Sequence, residues 1–286
     1  MNKANKRVLI NLSTILLFLI VLVSAEARER QTYRFGYSSS QNAEILISRM
    51  SPMISIMSKA LDTNIEFIHK KTFSEMQKAY INQEIDFGII NAYSYLRILP
   101  YNSVLPIAAR IIENSREYRS YFFSRKDSGI FSIKDLKGMV VALGDPYSTS
   151  SYLIPHSIFQ KEGIFPDEDF EKTIIISKHD SLILSVLNRT ADAGVSASFI
   201  FNGQPEEIRS DLRVFSVSDP FLLGPFVANK NLDDQVIATL KEVLFGLKES
   251  PEGRAALKSA GFEGFVEVDA DAYQPLLEIK ESLNLN

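Results

Sequence analysis

Met139-Val140-Val141-Ala142-Leu143-Gly144-Asp145-Pro146-Tyr147-Ser148-Thr149-Ser150-Ser151 is the stretch that decides the fold. Its first five residues are continuously apolar, as in a strand buried on both faces. Gly144-Asp145-Pro146 then turns the chain, and from Thr149 to Glu162 apolar residues recur at helical spacing. A strand entering a helix through a short loop is half of a βαβ unit. The alternation continues downstream with a strand over 173–176, a helix over 180–187 and a short strand at Ala193-Gly194-Val195. Upstream, residues 33–37, 64–69 and 86–90 read as strands. Between them lie helices over 54–61, with Pro52 in the first turn, and over 73–82. The chain is therefore expected to be α/β, with two units, each a mostly parallel sheet flanked by helices.

Between the units lies the β-rich run Glu117-Tyr118-Arg119-Ser120-Tyr121-Phe122-Phe123-Ser124, long enough to cross from one to the other. Residues 212–217 (LRVFSV) read as a returning strand, followed by amphipathic helices over 233–249, 251–260 and 270–283, with Gly261 placed to stop the second. Two lobes joined by two crossover strands follow: residues 32–120 plus 219–286, and residues 121–218. The crossings near 118–124 and 212–219 are the expected hinges.

The chain of 286 residues is 45% hydrophobic and 23% charged, within the ordinary globular range. Its 31 basic and 35 acidic residues give a net charge of -4, which does not suit a nucleic-acid-binding surface. With no cysteine it has no disulfide, thiolate metal site, cysteine nucleophile or lipidated cysteine. Lys3, Lys6 and Arg7 precede an apolar run that reaches Val23, and small residues around Ala25 offer a cleavage site, so residues 1–25 read as a signal peptide. An uncleaved anchor is the alternative, but Asn11, Ser13 and Thr14 leave a strictly apolar stretch far shorter than the ~20 residues that span a bilayer. Cleavage removes three basic residues and no acidic one, taking the net charge to about -7. An exported, cysteine-free chain suits the bacterial periplasm.

At Ser148-Thr149-Ser150-Ser151 four hydroxyls meet the free N–H groups and the positive dipole end of a helix start. That combination binds an oxyanion such as phosphate, phosphonate, sulfonate or carboxylate. An ordinary helix cap is the alternative, and it needs only one hydroxyl. There is no G-x-S-x-G, H-E-x-x-H, P-loop or G-x-G-x-x-G motif, and His69, His156 and His179 lack metal-ligand spacing; no cofactor is implied. A serine hydrolase built on Ser150 and His179 is the enzymatic alternative.

The run Ser132-Ile133-Lys134-Asp135-Leu136-Lys137-Gly138, followed by VVALGDPYSTSSYLIP ending at Pro155, resembles the DLKGK…DP.STSG…P segment of periplasmic substrate-binding proteins serving phosphonate, phosphite and phosphate ABC importers. Ile85-Asp86-Phe87-Gly88 with Tyr95, Lys178-His179-Asp180, and Asp192-Ala193-Gly194 extend the resemblance over most of residues 32–265. It implies the two-lobed type II periplasmic binding protein fold. It also implies an oxyanion held by Ser148, Thr149 and Ser150, a donor from His179, and Tyr95 contributed by the other lobe. Tyr37, ending the first strand, is an aromatic wall by position alone. The implied partners are a small oxyanion and an ABC permease at the inner membrane, with signalling to a membrane sensor kinase as the alternative, and a monomer is expected. Two positions depart from the family: Asn91-Ala92 replaces Gly-Pro, suggesting a reshaped loop, and Ser151 replaces a glycine, suggesting a tighter helix start. No carboxylate stands near residues 194–198, where aminoalkylphosphonate binders pair the substrate amine, so a ligand without an amine is expected.

Overall fold

The computed structural model describes residues 32–37, 43–283 and 285; the leader read at residues 1–25 lies outside these. The chain opens with β1 (Thr32–Tyr37), α1 (Ala43–Ala60), β2 (Asn64–Ile68), α2 (Phe73–Ile81), β3 (Phe87–Ile89), α3 (Ala92–Ile98) and β4 (Val104–Ile111). After the short β5 (Glu117–Tyr118) come β6 (Ser120–Arg125), β7 (Val140–Leu143), a π-helical turn (Thr149–Leu153) continuous with α4 (Ile154–Lys161), and α5 (Pro166–Asp169). Next are β8 (Lys172–Ile175), α6 (His179–Leu187), β9 (Ala193–Ala197), α7 (Ser198–Asn202), α8 (Glu206–Arg209) and β10 (Leu212–Val217). The chain returns through β11 (Phe221–Leu222), β12 (Pro225–Asn229), α9 (Asp234–Gly246), α10 (Pro251–Ala260), β13 (Gly264–Val266) and α11 (Gln274–Ser282).

Two main sheets result, a six-stranded one ordered β13-β4-β12-β3-β1-β2 and a five-stranded one ordered β10-β6-β9-β7-β8. Side chains of a strand alternate between faces, and both faces of each sheet are covered. In β7, Val141 and Leu143 pack with Phe122 and Phe159 on one side, while Ala142 joins Phe123, Leu182 and Val186 on the other. In the six-stranded sheet, Phe35, Phe87 and Phe226 face Met50, Met53 and Leu240, and the opposite layer holds Tyr80, Tyr93, Leu96 and Tyr273. Each fully buried side chain of this size contributes about 1.5–3 kcal/mol.

The sheets are mixed rather than mostly parallel. β1–β3, β7–β8 and β7–β9 pair in parallel, the pattern that strand-helix alternation requires. β6, β10, β12 and β13 pair antiparallel with their neighbours because each enters its sheet from a crossing or a return. The run 117–124 is also divided: β5 leaves the five-stranded sheet and pairs with β11, so the two crossings form one antiparallel ribbon. Ser218 N–H to the Ser120 carbonyl (3.1 Å) and Leu223 N–H to the Arg116 carbonyl (2.9 Å) extend that ribbon in both directions. Residues 212–217 lie wholly within the five-stranded sheet. Pro52 stands inside α1 rather than in a first turn. The apolar stripe Leu46, Met50, Met53, Met57 runs past it and carries the helix through the missing N–H, while Pro52 faces solvent.

Candidate functional site

The loop after β7 is folded by its own polar groups. Asp145 Oδ1 accepts from the Tyr147 N–H (2.8 Å) and Ser177 reaches its Oδ2 (3.4 Å). Burial pushes the Asp145 carboxyl above its ordinary range, against these hydrogen bonds. Gly144 donates its N–H to the Ser151 carbonyl (2.9 Å), and a Cβ at Gly144 would stand 1.9 Å from Ser151 Oγ, so only glycine fits. The chain then winds widely: Leu153 N–H bonds to the Ser148 carbonyl (3.0 Å), five residues back. The start of the helix is thus wider, not tighter, and the Ser151 hydroxyl lies 2.8 Å from that of Ser148.

The four hydroxyls divide their work. Ser148 is the N-cap, accepting from Ser151 N–H (3.3 Å). Thr149 reaches the other half of the protein: its Oγ1 accepts the Tyr93 N–H (2.9 Å) and donates to Asn91 Oδ1 (3.2 Å), the residue that caps α3. Ser150, whose carbonyl accepts from Ser120 Oγ (2.6 Å), lines a cavity of about 240 Å³. Tyr118, from the crossing ribbon, lines the same cavity and packs on Phe221 and Phe199, with ring centroids 4.4 and 5.4 Å away. Burial drives its phenol up to about 12, opposed by hydrogen bonding to Ser150, the nearby Arg110 charge, and hydrogen bonding to Thr149.

His179 begins α6 and lines the same cavity. Burial pushes its imidazole down to about 4, against the weaker pull of Asp180, so it is neutral at neutral pH. Its Nδ1 lies 3.0 Å from Ser196 Oγ. With that hydroxyl donating to Nδ1, the ring proton sits on Nε2, free to be donated elsewhere. The orienting partner is a hydroxyl, not the carboxylate of a Ser-His-Asp arrangement.

The six-stranded half supplies the facing wall. Tyr37 ends β1, and Phe262 follows Gly261, whose φ of 76° ends α10 in the left-handed conformation that glycine tolerates. Arg110, on β4, is only 8% exposed. Its Nη1 donates to the Tyr37 hydroxyl (2.9 Å), and its guanidinium carbon lies 5.7 and 5.5 Å from the Tyr37 and Phe262 ring centroids. Its Nε has no partner, and no carboxylate pairs with it among the described residues. The described cavity lining contains Arg49 and Arg110 and no Asp or Glu.

The expected residues Ser148, Thr149, Ser150, His179 and Tyr37 converge on this cavity. Tyr95 does not. It is 0% exposed, its ring meets Tyr273 edge-on at 5.1 Å in the core beneath α3, and its hydroxyl has no partner. Asn91, at the cap of that helix, reaches the cavity instead, because Tyr95 lies one helical turn, about 5 Å, further along α3 and within the core. Arg110, Asn91 and Tyr118 are additional lining residues. A signal for Arg110 was present: it is the one charge in the otherwise apolar run Val104–Ile112.

Residues 35–273 match the family described as ABC transporter, phosphonate, periplasmic substrate-binding protein. The chain belongs to this family. Members are periplasmic binding proteins of transporters rather than enzymes. The phosphate-import protein PhnD of Mycolicibacterium smegmatis is 26% identical over 259 residues, 84% of this chain and 77% of that protein. The phosphonates-binding periplasmic protein of Escherichia coli is 24% identical over 257 residues, 86% and 75% of the two chains. The fold is that of PhnD1 from Prochlorococcus marinus, whose structure is a complex with methylphosphonate (TM-score 0.82, 21% identity, 89% of this chain and 99% of that one). Among the described residues of this phosphonate-family protein, no helix is long and apolar enough to cross a membrane.

Proposed function

We propose that the mature chain, freed of a leader at residues 1–25, captures a small phosphorus oxyanion without an amine in the periplasm and presents it to an ABC permease. One observation carries this reading: the cavity joins a hydroxyl-rich helix start to a basic wall and has no carboxylate among its described lining residues. The oxyanion would rest at the start of the π-helical turn, taking hydrogen bonds from free N–H groups, Ser150, the Tyr118 hydroxyl and His179 Nε2–H. A substrate ammonium would meet Arg110 and the helix dipole with no countercharge, and would be repelled. The methylphosphonate complex of the Prochlorococcus marinus relative supports the ligand class.

Residues 32–120 with 219–286, and residues 121–218, would act as the two lobes of a clamp hinged at the ribbon of β5 and β11. Thr149, bonded to Asn91 and the Tyr93 N–H, ties the lobes at the anion itself, so ligand favours the closed arrangement through contacts from both sides. Calorimetry on the mature protein tests the reading. Methylphosphonate, phosphite or phosphate should bind at least about tenfold more tightly than 2-aminoethylphosphonate, a difference of ~1.4 kcal/mol. A preference for the aminophosphonate would overturn it.

A further inference from the structure

None of the hydrogen bonds just assigned to the oxyanion comes from Arg110. Resting on that reading, we propose that the ligand carries a second acidic group, bound by Arg110, so that the substrate class is a short phosphonocarboxylate or a similar two-headed anion.

Arg110 is permanently charged and 8% exposed, and it has no carboxylate partner among the described residues. A buried charge left unpaired is strongly unfavourable, and it is tolerated where an opposite charge arrives with a ligand. Its orientation is fixed by three contacts. Nη1 is held by the Tyr37 hydroxyl, and the guanidinium packs near the Tyr37 and Phe262 rings. A planar fork held in this way suits a planar carboxylate, which can accept two parallel hydrogen bonds from it.

The cavity between the two walls is the right kind of space. Its lining also includes the apolar Ile112, Phe199 and Ile200, which suits a short methylene spacer. Methylphosphonate has five non-hydrogen atoms and phosphonoacetate eight, the three added atoms being a second acid group one methylene from the phosphorus.

The test is calorimetry on the mature chain with methylphosphonate, phosphonoacetate, 3-phosphonopropionate and phosphonoacetamide, the last keeping the shape of phosphonoacetate without its second charge. In the wild type, phosphonoacetate or 3-phosphonopropionate should bind at least tenfold more tightly than methylphosphonate, and phosphonoacetamide should lose that advantage. Arg110→Met should cost phosphonoacetate at least tenfold more affinity than it costs methylphosphonate. The phosphonoacetamide comparison decides the matter even where the variant fails to fold. Equal affinity for methylphosphonate and the phosphonocarboxylates would overturn the second subsite and leave the proposed function standing. So would an Arg110→Met chain that loses methylphosphonate as strongly as phosphonoacetate, since Arg110 would then serve a single oxyanion. A protein that binds no phosphonate or phosphate at all would instead remove the reading beneath it.

Discussion

The two walls of the cavity hold charge in opposite ways. On the side of the five-stranded sheet every group is neutral: hydroxyls, peptide N–H groups and an imidazole held uncharged by burial. Facing them, the six-stranded half places a full positive charge, Arg110, between two aromatic rings. The contrast explains how a chain with a formal net charge of -4 can hold an anion. Its overall field works against such a ligand, so recognition has to be local, by dipoles that need no countercharge and by the arginines of the cavity lining.

Within the neutral wall the hydroxyls are not equivalent, and exchanging their roles would break the comparison most severely. Ser150→Ala should weaken binding of the preferred phosphonate by about 30- to 100-fold, the loss of a hydrogen bond to a charged group worth ~2–3 kcal/mol. Its effect on thermal unfolding should be small. Ser148→Ala should do the reverse, lowering stability by about 1 kcal/mol through the lost cap while changing affinity less. Calorimetry and thermal melts on the two variants give the answer, and equal behaviour would show that the hydroxyls act as one undivided cluster.

This division was only partly legible in the sequence. The strand, turn and hydroxyl-rich helix start can be read from residues 139–151 because all three are local in the chain, and the closeness of Gly144 to Ser151 is local too. The facing wall is not local. Arg110 acquires its role from Tyr37, 73 residues earlier, and from Phe262, so its spacing reveals nothing. Antiparallel β12 and β13 were hidden for the same reason, since their partners β3 and β4 lie more than a hundred residues away. Tyr95 shows the opposite failure. A motif placed the residue correctly in the chain, but one turn of α3 carries its ring past the cavity and into the core.

The neutrality of the first wall is itself open to test through pH. His179 titrates near 4 in the folded chain and near 6.5 when unfolded. Below about 6.5 the unfolded chain therefore takes up a proton that the native ring refuses, and stability falls as the pH drops toward 4. Below that the native ring is protonated too and the decline stops. For a half-buried ring the loss should be about 1–2 kcal/mol. Denaturant unfolding of the wild type and His179→Gln at pH 7, 5.5 and 4.5 isolates this group from His156, whose ring burial also pushes down. The variant should lose less stability with acid. An identical decline in both proteins would mean that the folded ring titrates as the unfolded one does, so that the first wall turns cationic below about pH 6.5.

The smallest expected effect concerns the residue that belongs to neither wall. Tyr95 has a fully buried hydroxyl with no hydrogen-bond partner, and burial pushes its phenol up to about 12. An unsatisfied buried hydroxyl is unfavourable, so Tyr95→Phe removes a polar atom without opening a cavity or breaking a bond. The variant should match or exceed wild-type stability by up to about 1 kcal/mol, and its phosphonate affinity should stay within about twofold, a change of ~0.4 kcal/mol. The edge-on contact with Tyr273 survives the change, because it depends on the ring and not on the oxygen. A tenfold loss of affinity in a stably folded Tyr95→Phe chain would place the hydroxyl at the ligand after all. It would require α3 to rotate in the bound state, and the wall opposite Ser150 would then be rebuilt around a tyrosine as well as Arg110.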